Sequence, residues 1–350
     1  MKTAIVILNW NGAEMLRRFL PSVIEHTPAD SARIIVADNG STDDSLSVLA
    51  TEFPAVEVIA LDQNYGFAEG YNQALRRVGT NEELYLLLNS DIEVPEGWLQ
   101  PMLDYMAAHP DVAACQPKLR AHHTPTLFEY AGAAGGYIDA LGYPFCRGRL
   151  FETVEADNGQ YDTVADVFWA TGAALLIRSA IYWQVGGLDG RFFAHQEEID
   201  LCWRLRARGF RIVCVPQSVV FHVGGGTLPK ENPRKTFLNF RNNLLLLYKN
   251  LPDRHLKRVL FLRFWLDALA SLVFLLKGEG RSFRAVWQAR REFRRIQADF
   301  TQNRIDNLAA TRLDPIPEQY PKSLLVAYHL RGRHTFSEMQ DEMQKMCKRT

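Results

Sequence analysis

"LYLLLNSDIEVP", residues 84–95, is the stretch on which the reading of this chain turns. Five apolar residues in a row, Leu84 to Leu88, suit a strand covered on both faces rather than one that alternates between core and water. The run stops at Asn89-Ser90-Asp91 and then resumes for only two apolar residues, Ile92 and Val94, before Pro95. A strand of this kind has no packing reason to end on a carboxylate, so Asp91 is expected to hold something.

The segments upstream repeat one pattern. "TAIVILNW" is a β-branched run ended by Asn11-Gly12, and "AEMLRRFLPSVIEH" then places apolar residues at helical spacing, with Asn11 as N-cap and Glu14 three residues on. "ARIIVADNG" predicts a second strand, and Ser41 with Asp44 forms a capping-box pattern ahead of "DDSLSVLATEF". "VEVIAL" predicts a third, followed by a Gly-rich loop and a helix around "YNQALRRV". Apolar strands alternating with helices predict an α/β fold with a mostly parallel sheet and helices on both faces. Such sheets bind ligands at the carboxyl ends of their strands.

The polar residues fall at those ends. Asn9 and Asn11 follow the first strand, Asp38-Asn39-Gly40-Ser41 the second, Asn64 and Gly66 the third, and Asn89-Ser90-Asp91 the fourth. Turn chemistry explains any one of these sets alone; four together predict a shared crevice. The chain has neither G-x-G-x-x-G after a strand nor G-x-x-x-x-G-K-[ST], which argues against dinucleotide or P-loop phosphate cradling. Carboxylates dominate instead, and an acidic crevice binds a diphosphate only with Mg²⁺ or Mn²⁺ interposed.

At 350 residues, 47% hydrophobic and 23% charged, the chain suits one large or two modest globular domains. Its start, "MKTAIVILNWNG", lacks the features of a secretory signal, so a protein that is not secreted is expected. Five scattered cysteines (115, 146, 202, 214 and 347) fit reduced, buried thiols in a cytosol. The net charge of zero hides a division: residues 1–226 carry 16 Lys/Arg against 28 Asp/Glu, and residues 227–350 carry 24 against 12. A basic C-terminal third suggests an anionic partner such as a membrane surface, or docking of the two parts on each other.

Taken in order, "ILNWNG", "VADNGSTDDS", "NYGFAEGYNQAL", "LLLNSDIEVP", "WATGAALLIR", "VGGLDGRFFAHQEEIDLCWRLRARGF" and "HVGGGT" resemble the family-two inverting glycosyltransferases of the GT-A fold, in particular bacterial rhamnosyltransferase-like members. The resemblance runs from residue 1 to about 245. It implies a GT-A nucleotide-diphospho-sugar transferase fold over 1–230, with a donor-binding half about 1–95 and an acceptor half about 96–230, followed by a helical basic region over 231–350. Asp38 resembles the aspartate that contacts the donor's base or ribose, with Asn9, Asn11, Asn39, Asn64 and Gly66 around the same nucleotide. Asn89-Ser90-Asp91 matches the D-x-D position with Asn in first place, so metal coordination rests on Asp91. His222 resembles a histidine that completes the metal shell in some relatives, and a histidine ending an apolar strand is also commonly structural.

Inverting transfer needs a carboxylate to take the acceptor's proton, and "HQEEIDLCWR" supplies three. The resemblance favours Glu198 as base, with Glu197 positioning the acceptor and Asp200 a third choice. On a helix entered near 197, Glu197 and Asp200 share a face and Glu198 lies about 100° away. Gly172 in "FWATGAALLIR" allows close backbone approach, and Trp169 is either a sugar-stacking face or a core aromatic. Arg204, Arg206 and Arg208 are solvated charges by default, with one able to face the diphosphate.

Beyond 245 the family pattern fades. "RVLFLRFWLDALASLVFLLKG" is the most apolar stretch, interrupted by Arg263 and Asp267, which pair at i,i+4 and leave the rest of the helix apolar. In "RSFRAVWQARREFRRIQADF", Phe283, Trp287, Phe293, Ile296 and Phe300 lie near one side opposite the arginines. Two outcomes stay open: helices on an anionic membrane, or helices packed on the catalytic domain or on a second subunit of a homodimer. The arginines accompany no nucleic-acid-binding module, so nucleic acid is not an expected partner.

The expected function is transfer of a sugar from a UDP-, dTDP- or GDP-sugar to a hydroxyl of a glycan or lipid-linked acceptor in cell-envelope polysaccharide synthesis. The expected place is the cytoplasm or the inner face of its membrane. Two alternatives remain: a nucleotidyltransferase that makes sugar nucleotides, and a non-catalytic sugar-nucleotide-binding assembly protein.

Overall fold

Four apolar segments become parallel strands: β1 (Thr3–Asn9), β2 (Arg33–Asp38), β3 (Glu57–Ala60) and β4 (Leu84–Asn89). In this computed structural model, which describes residues 1–224 and 232–347, β1 lies between β2 and β4 with Asn9 opposite Asp38 and Leu8 opposite Asn89. The register brings three of the four polar strand ends side by side. The sheet continues through β5 (Val112–Ala121), β6 (Ala174–Arg178) and β7 (Arg211–His222), in the order β7-β5-β6-β4-β1-β2-β3. Within this order β6 alone runs antiparallel to its neighbours, so the sheet is mostly parallel.

Side chains on successive residues of β1 go to opposite faces, and both faces are dry. Ile5 and Ile7 pack with Leu16 and Leu20 of α1 (Ala13–Glu25), with Val48 of α2 (Ser45–Glu52) and with Met102. Ala4 and Val6 join Tyr71 and Leu75 of α3 (Gly66–Val78) and Leu201 and Leu205 of α4 (Glu197–Ala207). Full burial of each such aliphatic contributes about 1.5–3 kcal/mol, which is why the strands carry no alternation.

Two local expectations change. Asn11 does not cap α1: it sits at φ +50°, and its Oδ1 accepts from the Thr42 N–H at 2.7 Å. The α1 entrance is held instead by Asp43, which accepts from the Ala13 N–H, and Asp43 also takes the Ser45 N–H and hydroxyl in place of a Ser41/Asp44 box.

The C-terminal third is mainly helical: α5 (Pro233–Asn250), α6 (Asp253–Leu276), α7 (Gly280–Ile296) and shorter pieces beyond. It is joined to the body in several places. Gln319–Tyr320 pairs in parallel with Gly136–Asp139 to extend a second, five-stranded sheet. A buried cluster ties α4 to α5: Asp200 takes Arg204 at 3.0 Å, Lys249 at 2.8 Å and the Asn250 amide at 2.8 Å. On α7, Val286, Ala289 and Phe293 face the body while Trp287 is 37% exposed, so the aromatic face expected from spacing is split. Cys115, Cys146, Cys202 and Cys214 are buried free thiols; the Cys347 side chain lies outside the described residues, as do Gly225, Gly226 and Thr227.

Candidate active site

The short resumption of strand after Asp91 explains that carboxylate's surroundings. Ile92–Glu93 pairs with the end of β7, placing Ile92 opposite His222. The His222 ring therefore meets the residue just before Ile92, with Nε2 3.1 Å from Asp91 Oδ1 and 3.4 Å from the Asn89 amide. On its other side, Nδ1 lies 3.4 Å from Glu129 Oε1, at ion-pair distance but outside hydrogen-bonding geometry. Burial disfavours a charge on His222, yet the flanking carboxylates of Asp91 and Glu129 outweigh it and raise the imidazole to about 10. Burial likewise opposes the Asp91 carboxylate, and the His222 contact holds it below its usual range. Glu129 was not singled out in the sequence: it comes from an irregular segment with no motif around it, and only folding brings it behind the histidine.

The strand-end residues at β1, β2 and α3 form a tightly bonded cradle. Asp38 is fully buried, accepting from the Asn9 amide at 3.0 Å and from the Ser41 N–H at 2.9 Å. Asn9 Oδ1 is left buried without a partner. Asn39 spends its amide on the Gly66 carbonyl and on Asn64 Oδ1, and its oxygen on the Tyr65 N–H. Asn39, Asn64 and Gly66 thus shape the α3 entrance, and their polar atoms are largely used up within the protein. Gly66 is required sterically, because at φ +76° a Cβ would lie 2.6 Å from the Phe193 ring. Trp10, between Asn9 and Asn11 in the sequence, is 46% exposed, which its place at the end of an apolar run does not announce.

Phe193 opens the segment that carries the acids. Phe193, His195 and Gln196 all have positive φ, at 67°, 71° and 70°. Three such non-glycine residues in one turn store strain of about 1–3 kcal/mol each, which the surroundings must impose. The Phe67 N–H of α3 donates to the Phe193 carbonyl at 2.7 Å, and from α5 the Asn242 amide donates to the carbonyls of Phe192, Ala194 and His195. Asn243 adds a bond to Gln196 Oε1 at 2.9 Å. Held this way, α4 starts at Glu197 with Glu197 buried and Glu198 partly exposed.

The three acids separate as helical spacing requires. Burial pushes the Glu198 carboxyl up to about 7, against the backbone N–H groups of the helix entrance. Burial and then the charge of Glu198 push Glu197 well above the carboxylate range, and its Oε2 has no partner. Asp200 is different. Burial alone would raise it, but Lys249 and Arg204 hold it below its usual value, and it belongs to the α4–α5 cluster rather than to the cleft. Asp200 is therefore not a free base.

Gly172 and Ala173 join the two halves of the site. The Asn89 N–H donates to the Ala173 carbonyl at 2.9 Å, and a Cβ on Gly172 would lie 3.6 Å from Glu198 Cβ and 3.2 Å from the Phe67 ring. Trp169 does not reach this cleft. It is 3% exposed, donates its indole N–H to the Tyr137 carbonyl and covers Gly136, so it is a core aromatic with no face for a sugar. Arg204 and Arg206 are also buried, bonded to Val185, Gly187, Phe210 and Glu318, and neither is a solvated charge.

The sequence and the fold that carry this site are similar to those of known proteins. The family model "Glycosyl transferase family 2" covers residues 4–146. Across residues 4–146 the chain carries the sequence pattern of a family 2 glycosyltransferase domain. The glycosyltransferase is 27% identical over 236 residues to an N-acetylglucosaminyl-diphospho-decaprenol L-rhamnosyltransferase of Mycobacterium tuberculosis, covering 62% of this chain and 75% of that one. It is 26% identical over 213 residues to rhamnosyltransferase WbbL of Escherichia coli, covering 58% and 78%. Among solved structures, GalNAc-T7 with UDP, GalNAc and Mn²⁺ gives a TM-score of 0.57 at 16% identity, covering 71% of this chain and 48% of that one. S. aureus TarS 1-349 with UDP-GlcNAc gives 0.53 at 15% identity, covering 88% and 89%. The fold is the GT-A fold, with a helical C-terminal region added.

The glycosyltransferase's own residues fit a divalent ion of a particular kind. Asp91 Oδ1 and His222 Nε2 converge at 3.1 Å with the Glu129 carboxylate behind the ring, and Asp91 and His222 are the groups that would hold such an ion. Among the described residues no group of three or more His, Cys, Asp or Glu forms a full shell. Two protein donors suit Mg²⁺ or Mn²⁺ that takes its remaining ligands from phosphate oxygens and water.

Proposed function

We propose that this glycosyltransferase moves a hexosyl group from a nucleoside diphosphate donor to a hydroxyl of a glycan or lipid-linked acceptor, inverting the anomeric centre, in cell-envelope polysaccharide synthesis. The observation that carries this reading is the Gly172–Ala173 step: one residue touches the strand end leading to Asp91, and the other abuts Glu198. A leaving diphosphate and an incoming hydroxyl need groups on opposite sides of one sugar, and this step spans the gap between them.

Asp91 and His222 would hold the divalent ion, which supplies charge neutralisation for the departing diphosphate when bound. Asp38, Asn9 and the exposed face of Trp10 are the groups for the nucleoside. Glu198, with its carboxyl raised to about 7, takes the proton of the acceptor hydroxyl as that oxygen attacks. Glu197 stays protonated beside it, so the pair carries one negative charge rather than two. Burial pushes the neutral His195 down to about 4, and its unpartnered Nε2, with Glu197 Oε2, supplies polar atoms for acceptor hydroxyls. The decaprenol-linked acceptor in the name of the M. tuberculosis relative supports an acceptor on a lipid carrier.

Incubation of the purified chain with UDP-, dTDP- and GDP-sugars, Mn²⁺ and polyprenyl-diphosphate sugars tests this. The expected products are a glycosylated acceptor of inverted configuration and a nucleoside diphosphate. Sugar nucleotide plus pyrophosphate would make it a nucleotidyltransferase, and donor binding without turnover would make it an assembly protein.

A further inference from the structure

Helix α6 is long and apolar enough to cross a bilayer, yet its polar residues are already committed elsewhere. Arg263 and Asp267 are buried, 3.2 Å apart. Arg263 also donates to the Leu141 carbonyl at 2.9 Å and to Asn243, while Asp267 takes Arg290 of α7. Removing α6 into a membrane span would strand Arg290 and the Asn243 side-chain oxygen and put an ion pair into hydrocarbon. Among the described residues nothing covers the opposite side of the same helix. Phe261, Trp265, Leu269, Leu272 and Leu276 follow one another at spacings of four, four, three and four, a single stripe, and are 63%, 60%, 59%, 48% and 78% exposed. Trp287 of α7 is exposed as well, and its ring neighbour Phe264 contacts Trp265.

Charge frames the stripe. Exposed Lys257 and Arg258 lie one turn before Phe261 and Leu262, and exposed Lys277 and Arg281 follow Leu276. A second copy of the chain is a poor occupant for this face. A two-fold axis sets like ends against each other or crosses them, and either way basic residues meet basic residues. An anionic lipid surface meets both needs, with acyl chains for the aromatic stripe and head groups for the cations.

We propose that α6 is an interfacial helix, lying in the plane of an anionic bilayer with Phe261, Trp265, Leu269, Leu272 and Leu276 inserted and its Arg263–Asp267 side kept on the protein. This goes beyond the transfer reaction and does not depend on it. The stripe brings the enzyme to the surface where a lipid-linked acceptor presents its hydroxyl.

Flotation of the full chain with phosphatidylcholine vesicles, with and without phosphatidylglycerol, tests the proposal. Binding is expected only with the anionic lipid, with a blue shift of tryptophan emission and release by high salt. The double variant Trp265→Ser/Leu269→Ser, on an exposed face, should lose at least tenfold in partitioning while its thermal midpoint is kept. Lys257→Glu/Lys277→Glu should lose a similar factor on anionic vesicles. Equal binding to neutral vesicles that ignores the charge reversal would overturn the anionic surface. Resistance to alkaline carbonate after expression in membranes would make α6 a span. A dimer in sedimentation that the serine variant dissociates, with no vesicle binding, would assign the face to a second copy. Donor binding by thermal shift is read on the same samples, so a failure of lipid binding is distinguishable from a failure of the transferase reading.

Discussion

The Asn242 side-chain amide on α5 donates to the His195 carbonyl at 2.8 Å, and so fixes, from the C-terminal region, a residue at positive φ three positions before Glu198. The same nitrogen reaches the carbonyls of Ala194 at 2.8 Å and Phe192 at 3.0 Å. Asn242→Ala takes the amide donor from the Ala194 and His195 carbonyls, at a cost of about 1–3 kcal/mol, while the Phe192 carbonyl keeps the Arg241 guanidinium. The strained turn then relaxes, and kcat should fall by about tenfold or more in protein that is still folded. Steady-state kinetics beside hydrogen exchange over residues 193–196 checks this, and a folded variant with unchanged kcat would refute the positioning role.

Glu198→Gln should lower kcat/KM by about 10²–10⁴, the range for removing a general base. Because burial raises Glu198 to about 7, the wild-type rate should climb with pH from 5.5 or so and level off above about 7. A flat profile, or a Gln variant with the same profile as wild type, would remove Glu198 from the chemistry.

Glu197 should make the protein less stable as pH rises. Its folded-state pKa lies above that of the unfolded chain, so the folded protein holds a proton that the unfolded one releases, and stability present below about pH 4.5 is lost above it. Glu197→Gln removes the need for that proton and should be more stable than wild type at pH 8 by about 1–3 kcal/mol. The difference should shrink toward pH 4.5. Urea titrations at the two pH values measure it, and a variant less stable at pH 8 would contradict the neutral form.

For metal use, Asp91→Ala should abolish the Mn²⁺-dependent thermal shift with nucleoside diphosphate, and Glu129→Gln should weaken apparent Mn²⁺ affinity by about 10–100-fold through His222. Full activity of either variant at micromolar Mn²⁺ would place the ion elsewhere.

Asp200→Ala and Trp169→Ala should act on stability. The first leaves Arg204 buried without its carboxylate and Lys249 with Asp189 alone, and the second empties a core site; each costs about 3–5 kcal/mol. Donor KM in the Trp169 variant, measured well below its melting point, should match wild type, and a tenfold rise would return Trp169 to the sugar site.

The runs at 3–10, 32–40, 56–61 and 84–89 by themselves determined the parallel half of the sheet, because strands dry on both faces can carry no polar alternation and must end in polar residues where ligands reach them. They also placed Asp38 and Asp91 at the carboxyl edge, and helical spacing alone separated Glu198 from Asp200. What spacing could not decide was which buried group each side chain would meet. Asp200 found Lys249 and Asn250 on α5, forty-nine and fifty residues on, and so left the cleft. Trp169 met Gly136 and the Tyr137 carbonyl, and so became core. Glu129 reached His222 from ninety-three residues away, and Asn242 gripped the turn at 192–195, neither announced by any local pattern. Periodicity reports whether a position faces core or water, a property of one element. The partner of a buried polar group is a property of two elements brought together, and only the tertiary structure supplies the second.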